Sequence, residues 1–490
     1  MDIVVGLIWI AVVYGVLFFF DTFFKSCAHY PYVKFLHETG FKIKFFHLQW
    51  NTTSLNRIFV RWGSSNIRFF NIWFSLGLYA TLILLPTSIC LILYAIFQLL
   101  TTKSYEDQNI IVEPIIPGVN LPISELGYYS ITLVFCSIVH EVGHALAAVK
   151  EDVHLVNVGI TVLFVIPVAY VNINLEKLSS LNPWKTLRIM CAGVWHNLVL
   201  SFVGLLLYFI MWSMFTTMFY VDNGIYITDV NPNSPLAGIR GLQMGDIVTN
   251  INDCVVRDEV TWNDCLLNAW YNKPGFCITT DLVHSVDESI PIVELPNGAY
   301  DCCGPTKPDW LCFEYGDNND GILELPPHMC LPARKVVETC TSFCDLSTQI
   351  CPTNYHCIYP LLPNATTLLK IKLIQKPDVI YIGHPLDVLH AAQISSYIPR
   401  YFFKTPMLPD MVMKLLRYLI SFSLGLALVN VIPCVYMDGH HIINLLAQIT
   451  LKEKVRSRNT IALISIIISL IGTALLIFLC IYSIWTRLLK

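Results

Sequence analysis

Val139-His140-Glu141-Val142-Gly143-His144 lies near the end of an apolar stretch, residues 127–149, that carries no charge before Glu141. In a helix, residues i and i+4 share a face, so His140 and His144 present two imidazoles side by side. Two neutral imidazoles at this spacing are the donor pair of HExxH zinc sites, and the intervening glutamate stands where a general base is needed. The setting sharpens the reading. About 20 apolar residues cross a bilayer, and ionisable groups inside such a segment are costly unless a partner compensates them. A chance match with structural histidines is a weaker explanation here than in a soluble protein.

The chain has 490 residues, 55% of them hydrophobic and only 13% charged, the balance of an integral membrane protein. With a net charge of −4 and no basic or aromatic-basic tract, nothing in the sequence suggests nucleic-acid binding. Apolar stretches at 3–20, 69–100, 127–149, 187–220, 412–435 and 460–484 give about six transmembrane helices. The first lacks a basic n-region and a cleavage site, so it reads as a retained signal anchor. Residues 21–68 contain Lys25, Lys34, Lys42, Lys44, Arg57, Arg61 and Arg68 and read as a connecting segment with little to bury. Stretch 69–100, interrupted by Pro86, allows one kinked span or a hairpin. The basic bias of 21–68 favours a single crossing with that segment in the cytosol. The glycosylation sequon at Asn51 would suit a luminal segment and a hairpin. Residues 155–171 alternate apolar and β-branched residues, as in a re-entrant β-hairpin or an ordinary buried segment. Non-helical backbone is tolerated at membrane depth where it lines a protein cavity, and a strand there could pair with an unwound peptide.

Between residue 222 and about 409 the character turns soluble. Eleven of the 17 cysteines fall between Cys254 and Cys357, which points to disulfides in an oxidising compartment and leaves one cysteine over. A cytosolic zinc module is the alternative, but no clean repeated CxxC supports it. A strand at 224–227, a helix start at 233–237 and a turn into a strand at 241–248 follow the order of a PDZ domain. A cysteine-rich insert at about 277–360 interrupts it, and 368–373 resumes it. Asn364 heads a second sequon.

Two further apolar segments carry polar residues. Cys191-Ala192-Gly193-Val194-Trp195-His196-Asn197 combines small residues, which allow close helix packing, with an amide in apolar surroundings. Asn430-Val431-Ile432-Pro433 leads to Asp438-Gly439, where proline breaks the helix and glycine permits a tight backbone. Asp438 can then turn inward with a metal ion as its partner. His440 and His441 read as polar loop residues.

His140-Glu141-x-x-His144, Gly193-x-x-x-Asn197 and Asn430-x-x-Pro433 to Asp438-Gly439, in that order on apolar segments, resemble the site-2 protease family of intramembrane zinc metalloproteases. The cysteine-rich insert and the Cys-Leu-Pro-Ala-Arg-Lys string at 330–335 resemble its animal type. Methionine at 437, where the family usually carries leucine or a similar residue, is a mild departure. The resemblance implies that His140, His144 and Asp438 bind Zn²⁺ and that Glu141 activates water. Asn197 either hydrogen-bonds the scissile carbonyl or oxyanion, or serves as interhelical glue. It further implies cleavage of membrane-spanning transcription-factor precursors in the Golgi membrane, after a luminal site-1-type protease has trimmed them, in sterol and unfolded-protein-response signalling.

The expected architecture is a mainly α polytopic membrane protein with a re-entrant β-hairpin and an inserted luminal PDZ-like α+β domain. Residues 1–126 would form an N-terminal membrane region and 127–220 a catalytic core. Residues 221–409 would form the luminal domain and 410–490 a C-terminal membrane core. The competing reading is a transporter or proton/metal relay using the same intramembrane residues. It lacks the inverted repeat common in transporters.

Overall fold

The computed structural model describes residues 2–101, 125–163, 166–294, 300–304, 307, 309–316, 328–340, 342–344, 351–363, 365–400, 405–455 and 457–488. Six helices among them are long and apolar enough to cross a membrane. These are α1 (Asp2–Ser26), α4 (Ile67–Thr101), α5 (Leu126–Lys150), α7 (Pro183–Met218), α12 (Met407–Val431) and α14 (Arg458–Leu488). The chain is therefore a multi-pass, mainly helical membrane protein. It divides into two compact units, one of Met1–Ile210 with Met413–Lys490 and one of Met211–Val412.

In the first unit, α5 is the enclosed element: 56% of its apolar window is buried, against 11–28% for the other five spans. Small residues bring its neighbours close. A methyl on Gly143 would meet the Ala192 carbonyl oxygen of α7 at 2.6 Å. Phe74, Leu146, Ala148, Ile189 and Ala192 form one core, and Leu78, Val194, Ala427 and Ile442 form part of another. At the C-terminal end of α5, buried Glu151 meets Lys150 at 2.6 Å, Lys185 at 3.3 Å and Arg188 at 3.5 Å, tying α5 to α7. Burial pushes the Glu151 carboxyl up, but Lys150 and Lys185 outweigh that and hold it below the usual carboxylate range.

Four antiparallel strands pack in this unit: β1 (Phe41–Lys44), β2 (His47–Thr52), β3 (Leu155–Leu163) and β4 (Ile166–Ile173), in the order β1-β2-β3-β4. The β3–β4 hairpin leaves the end of α5 and doubles back along it, with Leu155 opposite Ile173 at its base and Leu163 opposite Ile166 at its tip. Residues 21–68 are more than a connection. They carry α2 (Tyr30–Thr39), α3 (Asn56–Gly63) and two strands, and β2 covers the outer edge of β3. The sequence hid this because the strands are short and none of their residues is fully buried, so they lack the long apolar run of a buried strand. Residues 67–101 form one continuous helix and no hairpin; Thr87 and Ser88 hydroxyls donate to the Ile83 and Leu85 carbonyls beside Pro86. Short helices α6 (Leu175–Ser180) and α13 (Asp438–Leu451) complete the unit.

Among the described residues, the second unit holds two larger sheets and two two-stranded pairs. The first has the order β17-β16-β7-β6-β18, with β8 on β7. Its strands are β6 (Ile225–Val230), β7 (Ile247–Ile251), β8 (Cys254–Val255), β16 (Thr367–Leu373), β17 (Val379–Gly383) and β18 (Ala392–Ser395). Helices α8 (Glu259–Asn272) and α11 (Pro385–Ala391) share its core of Ile227, Val248, Trp262, Leu266, Ile371 and Val388. The second sheet, in the order β13-β12-β15-β9-β14, has its own core around Phe276, Phe313, Leu331 and Val336. It contains β9 (Gly275–Thr279), β12 (Trp310–Tyr315), β13 (His328–Pro332), β14 (Phe343–Cys344) and β15 (Tyr355–Pro360). Helices α9 (Thr280–Val286) and α10 (Ala333–Thr339) and the pairs β10 (Val293–Glu294) with β11 (Tyr300–Asp301) and β5 (Phe219–Tyr220) with β19 (Ile398–Pro399) complete the unit. The helix expected from 233–237 does not form. The Ser234 hydroxyl accepts from the Leu236 N–H, and Gly238 (φ 136°) then turns the chain. Asn364 lies outside the described residues.

Ten of the eleven clustered cysteines pair: Cys254–Cys265, Cys277–Cys351, Cys302–Cys312, Cys303–Cys330 and Cys344–Cys357. Cys340 is the one left over, and it is buried. By loop-closure entropy, replacing Cys277 and Cys351 (74 residues apart) with alanine should cost the unit about 4 kcal/mol. Replacing Cys254 and Cys265 (11 apart) should cost about 3 kcal/mol. Denaturant melts without reductant test this, and the reverse order of losses would contradict it.

Candidate metal centre

His140 and His144 lie one turn apart on the buried face of α5. His144 Nδ1 is 2.8 Å from the Ile189 carbonyl oxygen of α7. A carbonyl only accepts, so Nδ1 carries the proton and Nε2 keeps its lone pair. The two Nε2 atoms stand 3.1 Å apart. Asp438 Oδ2 lies 3.0 Å from His140 Nε2 and 3.3 Å from His144 Nε2, yet it is buried without a hydrogen-bond partner. Electron-pair donors converging with no proton between them fit a cation. Two imidazoles and a carboxylate make a three-ligand set with room for a fourth.

The approach of Asp438 follows from the sequence around it. Helix α12 stops at Val431, Tyr436 takes a positive φ of 72°, and Met437 is extended before α13 begins at Asp438. The carboxylate thus sits in a helix first turn, where the backbone dipole favours negative charge. Gly439 packs against the Ile432 carbonyl oxygen, leaving no space for a side chain. The Val435 N–H donates to Thr473 Oγ1 of α14 at 3.0 Å, pinning the turn. His440 and His441, read from the sequence as loop residues, belong to the first turn of α13 because the helix starts two residues earlier. His440 Nδ1 pairs with Ser469 Oγ at 2.8 Å, and neither histidine joins the donor cluster among the described residues. Cys277, Cys344 and Cys351 also lie close together, but disulfides occupy their sulfurs.

Asn197 is fully buried on α7, with its amide nitrogen 3.3 Å from His140 Nδ1 and its Oδ1 unpartnered. Turning the amide by half a rotation places Oδ1 on the His140 Nδ1–H. That pairs the orphan oxygen and leaves His140 Nε2 with its lone pair. The structure thus brings Asn197 onto a histidine of the donor set.

Glu141 Oε2 accepts from the Val171 N–H at 2.9 Å, and Ser137 Oγ accepts from the Ala169 N–H at 2.8 Å. The free edge of β4 therefore lies against α5, its outward donors held by two α5 side chains. A cavity of about 120 Å³ beside Glu141 is lined by Trp50, Phe59, Val142, Ile160 and Tyr170. Sequence reasoning missed Ser137, Val171 and Ile189. Ser137 carried a usable signal, standing four residues before Glu141 on the same face. The other two act through backbone atoms, which residue identity does not reveal.

Residues 128–477, a span that includes every residue of this cluster, match the sequence profile described as peptidase family M50. The match covers well over half of the chain, and the chain belongs to peptidase family M50: it is a membrane-embedded metallopeptidase. A relative from Arabidopsis thaliana, named "membrane-bound transcription factor site-2 protease homolog", is 23% identical over 468 residues, covering 84% of this chain and 87% of the relative.

Gly193 supplies a direct test of the donor cluster. A methyl there would run into the Nε2 atoms of both histidines, 2.6 Å from that of His140. Gly193→Ala should weaken metal binding on the order of 10–100-fold, read as metal content after dialysis against graded chelator. Unchanged affinity would contradict the geometry.

Proposed function

We propose that this chain is an intramembrane zinc endopeptidase. It cuts within the membrane-spanning helix of tethered transcription-factor precursors after a first luminal cut, and so releases their cytosolic domains. The observation that carries this reading is the convergence of His140, His144 and Asp438 beside Glu141 on a helix able to span a membrane. Zinc suits a donor set of two imidazoles and one carboxylate. When bound, the ion supplies Lewis-acid polarisation of the scissile carbonyl. A transporter or metal relay is disfavoured by membership of a peptidase family.

The protein's own residues account for the remaining steps. A substrate helix hides its amides in i to i−4 hydrogen bonds, so it must unwind before attack. The unwound segment pairs as a strand with the free edge of β4. In doing so it takes over the Ala169 and Val171 N–H groups from Ser137 and Glu141. The released Glu141 carboxylate accepts a proton from the attacking water and passes it to the leaving amine. The cavity beside it receives an apolar side chain of the substrate. Asn197 holds His140 by its Nδ1, which makes it a positioning residue; contact with the scissile carbonyl would require it to leave that bond.

Five disulfides support a luminal placement for Met211–Val412. We read its six-stranded sheet as PDZ-like and its second sheet as the insert. The basic residues of 21–68 support a cytosolic placement for that segment. The Golgi membrane, a luminal site-1-type protease, and clients of sterol and unfolded-protein-response signalling are what the family resemblance implies for this chain.

Purified Glu141→Gln protein should keep its metal and lose about 10²–10⁴-fold in cleavage of a pre-trimmed transmembrane substrate. Asp438→Ala should lose both metal and cleavage. Full activity in the Glu141 variant would refute the mechanism.

A further inference from the structure

A cavity of about 740 Å³ opens in the membrane unit where α6 and the start of α7 face α13 and the start of α14. That size falls within the roughly 300–1,000 Å³ of ligand-binding cavities. Its wall is divided by chemistry. Leu178, Met190 and Ile461 contribute apolar surface and Gln448 an amide; among the described residues, Lys452 and Arg458 are the only fixed charges in the lining, and it holds no acidic side chain. Both cations are exposed, and neither meets a carboxylate among the described residues. Lys452 directly follows α13, and Arg458 is the first residue of the spanning helix α14. Cations next to the start of a membrane span are suited to hold a lipid phosphate.

We propose that this cavity binds one anionic glycerophospholipid, its phosphate held by Lys452 and Arg458 and an acyl chain lying along Leu178, Met190 and Ile461. A free phosphate would leave the apolar wall in water, whereas a lipid satisfies both halves of the lining. The site also touches the elements that carry the metal donors. Met190 follows Ile189, whose carbonyl orients His144, and the lining residue His441 is on α13, which begins at Asp438. A bound lipid braces α7 against α13.

The test uses the full chain in nanodiscs of phosphatidylcholine containing a minority of phosphatidylserine with a photoactivatable acyl chain. Wild type should be labelled at the cavity lining with saturable stoichiometry of one, and millimolar inorganic phosphate should not compete. The double variant Lys452→Gln, Arg458→Gln, at exposed positions that leave the fold intact, should bind roughly thirtyfold more weakly. Ala462→Trp, which fills the cavity without altering charge, should also abolish labelling. Equal labelling by photoactivatable phosphatidylcholine would overturn the proposal. So would competition by phosphate, or wild-type labelling in the double variant.

Discussion

Lone pairs that face one another in an apolar interior are costly to hold unless they share a cation. His140, His144 and Asp438 bring theirs within 3.3 Å of one another. Much of the membrane unit can be understood as the means of sustaining that arrangement. Glycines at 143 and 193 let α5 and α7 approach until the Ile189 carbonyl fixes the His144 tautomer. The break after Val431 turns Asp438 toward the same point from a helix start, where the backbone dipole supports its charge. Glu151 and its three cations tie α5 to α7 beyond the apolar section.

The β-hairpin solves a second problem with the same side chains. An unpaired strand edge beside a membrane helix would carry unsatisfied amides. Ser137 and Glu141 accept from the exposed N–H groups of β4, while β2 covers the opposite side of β3. One carboxylate thus both completes the backbone hydrogen bonding of the resting sheet and stands beside the metal donors. In the proposed mechanism, docking of a strand at that edge and release of the base become a single event.

The spans were legible because length and hydropathy suffice to identify them, and the donor residues because their types and spacings are restrictive. The disulfide region was visible from cysteine crowding, but its pairing was not, since connectivity depends on which strands become neighbours. The sheet in residues 21–68 is not legible locally, because β2, which carries β1, finds its partner in β3, more than 100 residues away. The turn after Asn233 resembles a helix start in sequence because proline in a first turn fits either conformation, and only the following glycines favour the turn. The partners of His144 and Glu141 are a backbone carbonyl and a backbone N–H, which no side-chain pattern encodes.

In the proposed site, His140, His144 and Asp438 together hold one zinc ion. X-ray absorption at the zinc edge on the purified full chain tests it most directly. One zinc per chain is expected, with two imidazole nitrogens at about 2.0–2.1 Å, carboxylate oxygen at about 2.0–2.2 Å and no sulfur shell. Loss of the imidazole signal is expected in the His144→Ala variant. A sulfur shell at about 2.3 Å, or no zinc in a preparation that cleaves its substrate, would contradict it.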